Sequence, residues 1–411
     1  MAQATLGIDF GTSNTAAGIA AADRPWLIEL EPGETTLPTA VFFEVSPARM
    51  RIGRSATRGL IQGDEGRFMR ALKSLLGTPL LHEQRRLGGE RLAFSTIIAR
   101  FLAELKTRAE AQTRMTFTHA LSGRPVHFHS ADPARDAQAE KDLRACYLEA
   151  GFEDVTFMYE PEAALRASPP KAGVGLVVDI GGGTSDFTAF VQEDGCAPRI
   201  LASHGVRLGG TDFDRQISLD HVMPLLGRGS EIRNSMGGGT LPAPQRLFND
   251  LATWQMIPFL YTRETRRKAE DLLQHAVEPD KLARLVATLE DETGHELAFA
   301  TEAGKIQANS QQDARIDLKV LERGLSAPLE DMQHCLAPPV ASIQACARET
   351  LAQAEIDPAA VNRLVLVGGS SLLGAVQQSL QALCPDAEVE TQNAMTAVAD
   401  GLALSAQAAF G

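Results

Sequence analysis

Leu6-Gly7-Ile8-Asp9-Phe10-Gly11-Thr12-Ser13-Asn14-Thr15 decides the fold, because Leu176-Val177-Val178-Asp179-Ile180-Gly181-Gly182-Gly183-Thr184-Ser185-Asp186 repeats its pattern later in the chain. Each stretch is an apolar strand running into aspartate, then glycine, then threonine or serine. A second strand-like run follows each, Ala16 to Ala20 and Phe187 to Val191, so each reads as a hairpin with a polar, glycine-rich turn. Glycine brings backbone N–H groups close to a ligand with no Cβ in the way. Successive N–H groups in such a turn form an anion-binding nest, and the hydroxyls of Thr12, Ser13 and Thr184 add donors. The aspartates at the strand ends repel phosphate but suit a magnesium ion attached to it. Two such turns facing each other would hold one metal–polyphosphate from both sides.

The chain has 411 residues, more than one typical core, and is expected to contain two or more domains with room for a cleft. Its formal charge of −13 argues against a nucleic-acid surface, which needs clustered Lys and Arg. Five scattered cysteines without a C-x-x-C pair suit a reducing compartment and no zinc site. The first residues lack the basic start and apolar stretch of a signal peptide, and no apolar run approaches the roughly 20 residues of a membrane span. These features point to a soluble, cytoplasmic protein without a membrane partner.

Around the two hairpins the pattern is α/β. Trp26 to Leu30 and Ala40 to Val45 extend the first hairpin into a meander. From Ser55 through Arg67 to Gly77 the pattern reads as irregular helix, and Ser95 to Thr113 as a helix capped by Ser95. His119 to Phe128 reads as a strand, Pro133 to Ala150 as an amphipathic helix and Val155 to Met158 as a strand. A linker at Ser168 to Gly173 precedes the second hairpin. Gly205 to Asp214 forms a glycine turn opening a helix, and a polar, mostly helical insertion covers about 227–322, beginning with a loose stretch from Ser235 to Pro244. A helix from Pro338 to Ala354, a strand from Arg363 to Val367 and a small-residue helix from about Ala394 to Ala409 complete the chain. One α/β unit followed by another is an internal duplication.

The two hairpins, Glu160-Pro161-x-Ala163-Ala164, Leu208-Gly209-Gly210-x-Asp212-Phe213-Asp214 and Val365-x-Val367-Gly368-Gly369-Ser370 occur in one order. In that order they resemble the ATPase domain of the 70-kDa heat-shock chaperones, of the actin, hexokinase and heat-shock superfamily. Gly123-Arg124-Pro125-x-x-Phe128 looks closer to the short YegD-type branch. The resemblance implies an actin-like ATPase fold of two ribonuclease-H-like lobes around a nucleotide cleft, each with a smaller inserted subdomain. Lobe I would span 1–172 with an insertion at about 37–108, lobe II 173–391 with the 227–322 insertion, and 392–411 would return to lobe I. The chain ends near where the peptide-gripping domain of the full chaperones begins, so that domain is expected to be absent.

By resemblance, Asp9 and Asp179 hold the hydrated Mg2+, and the N–H groups of Gly11, Thr12, Ser13 and Asn14 and of Gly181, Gly182, Gly183 and Thr184 cradle the phosphates of ATP or ADP. Lys73 matches the family's catalytic lysine and Glu160 its water-positioning carboxylate; Thr184 and Asp186 match residues beside the attacking water. Asp179 serves both the metal and the chemistry. Gly209, Gly210, Glu302, Lys305, Gly368, Gly369 and Ser370 match the remaining nucleotide contacts. Ile306 and Leu372 stand where the family has arginines and Met395 where it usually has aspartate, so a cation–π grip on the adenine, worth about 0.5–2 kcal/mol per contact, is missing.

Each feature also has an ordinary reading. A lone strand-end aspartate is usually a turn residue, and duplication in a matching setting is what sets Asp9 and Asp179 apart. His127-Phe128-His129 would place two imidazoles on one strand face, but without a third ligand a metal site is not expected. The run Arg263 to Lys268 reads as a solvated helix face, and Gly237-Gly238-Gly239 as a flexible loop. The function expected is a slow Mg-ATPase switching a protein partner or client. The alternatives are a small-molecule kinase of the same superfamily and a nucleotide-holding scaffold or filament protein.

Overall fold

Two sheets carry one topology twice. The structure, a computed structural model, describes residues 4–22, 24–234, 237–310, 314–321, 325–328, 332–391 and 395–410. In the first sheet β1 (Ala4–Phe10), β2 (Asn14–Ala21), β3 (Arg24–Leu27), β4 (Phe117–Arg124) and β5 (Asp154–Tyr159) run in the order β3-β2-β1-β4-β5, and Thr36–Pro38 pairs with β2 as well. In the second, β6 (Gly173–Ile180), β7 (Ser185–Gln192), β8 (Arg199–Val206), β9 (Arg363–Val367) and β10 (Glu388–Glu390) run in the order β8-β7-β6-β9-β10. Both begin with an antiparallel meander and end with two parallel strands. The register repeats too: Asp9 faces Ala16 and Asp179 faces Asp186, the same step around each turn. Leu6, Ile8, Leu176 and Val178 are fully buried, the near-continuous apolar pattern of central strands covered on both faces.

Two helices rich in small residues tie the sheets together, α3 (Glu160–Ala167) and α5 (Ala397–Ser405). Their Ala163, Ala164, Leu165, Ala397, Val398 and Leu402 share one core with Leu121 of the first sheet and Val177, Phe190, Val365 and Val367 of the second. The approach is close: a Cβ on Gly401 would lie 1.7 Å from the carbonyl oxygen of Ala163, and one on Gly7 2.7 Å from the amide nitrogen of Ala403. Only glycine permits that backbone contact, which holds α5 against both β1 and α3. Residues 1–210 with 340–411 form one compact unit, and residues 211–339 a second.

The first unit also holds α1 (Phe94–Thr113) and α2 (Pro133–Glu149), the latter capped by the Asp132 side chain accepting from Arg135 N at 3.1 Å. In the second unit α4 (Gly294–Ala308) follows the helices Gln245–Leu251, Ile257–Leu260, Arg263–Gln274 and Pro279–Glu290. Lys268 pairs with Glu264 and Arg266 with Glu292, so the basic run is a salt-bridged helix face as expected. Gly237 to Gly239 lie in the loop joining the strands Glu231–Arg233 and Thr240–Pro242. That hairpin occupies part of the expected loose stretch, whose residues 235–236 lie outside the described residues.

Several expectations are corrected. Residues 66–70 form a strand, Gly66–Arg70, rather than irregular helix, because Phe68 and Met69 pair with Phe42 and Val41 of the strand Ala40–Glu44. A single 3-10 turn, Leu72–Leu75, follows. Strand β4 ends at Arg124 because Pro125 cannot donate a ladder hydrogen bond, so His127 and His129 lie on a loop and share no strand face. Ser95 is inside α1, whose N-cap residue is Ala93. The late helix starts at Met332 and carries Pro338 and Pro339 within it. The last helix begins at Ala397, and Ala394 lies outside the described residues.

Candidate functional site

The two glycine turns are closed by the same hydrogen bond. Gly11 N donates to Asn14 O at 3.0 Å, and Gly181 N donates to Thr184 O at 3.0 Å. The turns face each other within the first unit: a Cβ on Gly182 would lie 2.4 Å from Ser13 Oγ, and one on Gly183 3.1 Å from Thr12 Oγ1. A side chain on Gly182 would displace the Ser13 hydroxyl, and one on Gly183 would press on Thr12. Gly209 backs the second turn, where a Cβ would meet Gly183 N at 2.6 Å, and Gly210 N donates to Gly181 O at 2.9 Å. Gly368, at φ 76°, lies so close to β6 that a Cβ would be 2.3 Å from Ile180 O. Ser370 Oγ would be 2.5 Å from a Cβ on Gly210. Thus Gly11 to Asn14, Gly181 to Thr184, Gly209, Gly210, Gly368 and Ser370 form one backbone-lined region, with Gly369 beside it.

Acidic side chains gather behind the turns. Asp9 closes β1, Asp179 and Asp186 face each other across β6 and β7, and Glu160 is the first residue of α3. Burial pushes the Asp9 carboxyl up to about 7, aided by Glu160 and opposed by Lys73. Burial likewise holds Asp179 well above the ordinary carboxylate range, with Glu160, Asp186 and Asp9 adding repulsion. Asp186 is raised to about 8 by burial and Glu160, although hydrogen bonds from Val126 N (2.7 Å to Oδ1) and Thr184 favour its ionised form. Four carboxylates sharing one site need positive charge. Lys73 supplies part of it, with Nζ 2.8 Å from Glu160 Oε1 and both side chains buried. A divalent cation at Asp9 and Asp179 is the donor chemistry that would supply the rest.

The Lys73 turn is held from several sides. Ala71 takes a left-handed φ of 60°, and Gly77 N donates to Asp142 Oδ2 at 2.9 Å. Lys73, Ser74 and Leu76 line a small cavity with Thr12, Gly183 and Thr184. His129 and Arg207 line that cavity too, and no nucleotide role for either is legible in the sequence. Arg207 directly precedes the Leu208-Gly209-Gly210 motif, but its partners are distant in sequence and could not be read there.

Glu302 and Lys305 lie on α4, in the second unit. Lys305 is buried with Nζ 2.6 Å from Asp214 Oδ1, and Asp214 Oδ2 also accepts from Trp254 Nε1 at 3.1 Å. Ile306 beside it is 63% exposed, so an apolar side chain faces solvent where the family carries arginine. In the first unit, a Cβ on Gly369 would lie 3.2 Å from Met395 Sδ, placing the exposed Met395 against the Gly368-Gly369 turn. His127 Nδ1 lies 3.6 Å from Asp136 Oδ2 while His129 turns to other partners, and among the described residues no group of three or more His, Cys, Asp or Glu is arranged to hold a metal ion directly, at this pair or around Asp9 and Asp179. No described helix is long and apolar enough to cross a membrane.

A profile of the Hsp70 protein family matches residues 5–236 and 271–411. The chain is also similar to the chaperone protein DnaK of Mycoplasma mycoides subsp. mycoides SC, with 26% identity over 382 residues, or 92% of this chain and 54% of that relative. It therefore spans about half the length of the curated relative it matches.

Proposed function

The chain belongs to the Hsp70 protein family, with the actin-like ATPase fold its sequence implied, and on that premise we propose that it is a slow, magnesium-dependent ATPase that switches a protein partner or client. The facing turns carry the reading: Ser13 and Thr12 oppose Gly182 and Gly183 at van der Waals distance, with four carboxylates and Lys73 behind them. In this reading the lobes are residues 1–172 and 173–391, and 392–411 returns to the first. Each lobe would be built on one of the two repeated sheets, which share a core with α3 and α5. The Gly123-Arg124-Pro125-x-x-Phe128 run supports the short branch of the family, and the reducing, cytoplasmic setting rests on five free cysteines.

Asp9 and Asp179 would hold Mg2+, which would neutralise charge on the polyphosphate when bound. With Gly11 N and Gly181 N closing the turns, the amides of 12–14 and 182–184 would donate to phosphate oxygens from two sides. Lys73, held by Glu160, brings an ammonium to the same region. Asp186 is the proton acceptor: its raised pKa makes it a strong base once ionised, and Val126 N and Thr184 fix its direction. A calorimetric titration with Mg-ATP followed by single-turnover hydrolysis tests the reading. Saturable binding and slow turnover are expected; no binding at millimolar nucleotide would sink it.

A nucleotide-holding scaffold is the second reading. It is favoured by Lys73 and Lys305 both being engaged by carboxylates, Glu160 and Asp214. Lys73→Ala and Asp186→Ala variants separate the two, since only the ATPase reading has them bind nucleotide and lose turnover. The kinase alternative requires ATP turnover that rises with a small-molecule acceptor.

A further inference from the structure

Arg207 follows the last residue of β8, on the edge of the second sheet, yet its guanidinium reaches the Lys73 turn. Nη2 donates to Ser74 O at 2.8 Å, and Nη1 lies 3.0 Å from His129 Nδ1. His129 Nε2 in turn lies 2.7 Å from Leu76 O. Arginine only donates and a carbonyl only accepts, so these two contacts fix the imidazole as neutral, with its proton on Nε2 and a bare Nδ1. The carbonyls of Ser74 and Leu76, on the segment just after Lys73, are therefore clipped by one Arg–His pair.

We propose that Arg207 and His129 are positioning residues that tie the second sheet to the Lys73 turn and hold Lys73 against Glu160 for phosphoryl chemistry. The inference rests on the ATPase reading, and its geometry is independent of the metal ligands. The groups facing His129 agree with a neutral ring. Burial disfavours its charged form, and Arg207 and Arg135 add repulsion, against the Leu76 carbonyl and Asp136, whose Oδ1 accepts from His129 N at 3.2 Å. Its pKa therefore sits below 6.5. Since the folded value is depressed for a base, the latch is intact above the ordinary histidine pKa. It is lost as pH falls through the folded one, when an Nδ1 proton would face the guanidinium.

Arg207 is exposed, so its replacement should leave the fold intact. In single-turnover assays Arg207→Gln is expected to slow hydrolysis about tenfold, the scale of a slightly misplaced catalytic group, with the Mg-ATP dissociation constant changed less than about threefold. Arg207→Lys, with one donor position instead of a fork, should recover only part of the rate. Beneath the acid limb that Asp186 sets in both proteins, the wild-type rate should fall further below pH 6.5, and that further fall should vanish in Arg207→Gln. A rate within about twofold of wild type, or an unchanged acid limb, would overturn the proposal. If the wild type neither binds nor hydrolyses ATP, the ATPase reading fails on its own. Amide exchange over residues 72–78 of the nucleotide-free protein then decides the latch: exchange about tenfold faster in Arg207→Gln supports it, and equal exchange refutes it.

Discussion

The first hairpin turns through Gly11-Thr12-Ser13-Asn14 and the second through Gly181-Gly182-Gly183-Thr184, with the same 3.0 Å closing hydrogen bond in each. Their side chains differ in a complementary way. The first turn presents hydroxyls, and the second presents bare backbone where those hydroxyls approach. At the matching register position the first hairpin has Ala16 and the second Asp186, both buried. Both hairpins thus carry a strand-end aspartate, and only the second carries a further acid across the hairpin. In the proposed function the shared part of the hairpins binds phosphate and the difference between them supplies the base.

The sharpest way to break this comparison is to remove the asymmetric acid. Asp186→Asn should lower single-turnover hydrolysis by about 10²–10⁴ while leaving Mg-ATP binding nearly unchanged. Adding Ala16→Asp to that variant should not restore the rate, because the hydrogen bonds from Val126 N and Thr184 that orient the acid are made at position 186. Restored turnover would show the two copies to be interchangeable.

Lys73→Ala leaves Glu160 buried without its cation. Turnover should fall about 10²–10³, and chemical denaturation should show a stability loss of about 3 kcal/mol. A variant of unchanged stability would mean that the Lys73–Glu160 pair adds nothing to the fold.

The metal tests whether both copies bind. ADP with magnesium at about 100 times its dissociation constant should stabilise the protein by about 2.7 kcal/mol in thermal unfolding, and a chelator should remove most of that. Asp9→Asn and Asp179→Asn should each abolish the magnesium dependence. If only one does, a single hairpin holds the ion.

The smallest effect compares the turn glycines. A Cβ on Gly11 would sit 2.3 Å from Asn14 O, whereas the nearest such contact for Gly181 is 3.8 Å from Thr184 O. Gly11→Ala should cost about 1–3 kcal/mol by overpacking, and Gly181→Ala no more than about 0.5 kcal/mol. Equal costs would show that the two turns are under the same constraint.

The repeated sheets were legible because each hairpin writes its strand, turn and aspartate locally, and the order of the later motifs places them around it. Features made by distant partners were not. Arg67 to Arg70 carries charges that resemble no strand until Phe42 and Val41 are opposite Phe68 and Met69. In the sequence His127 and His129 are two imidazoles without a third ligand, and only the fold shows Leu76 O and Arg207 at the two nitrogens of His129. Lys305 fits the nucleotide motif by position, yet its amine is buried against Asp214. The helix α5 reads as a small-residue helix, but that Gly401 touches the Ala163 backbone depends on packing alone.

The central claim is that one polyphosphate is gripped by both turns. A crystal structure with Mg-ADP and a γ-phosphate mimic tests it most directly. Phosphate oxygens are expected within about 2.7–3.2 Å of amides in both 11–14 and 181–184, with the metal's waters on Asp9 and Asp179. Phosphates contacting one turn alone, or a nucleotide bound elsewhere, would contradict it.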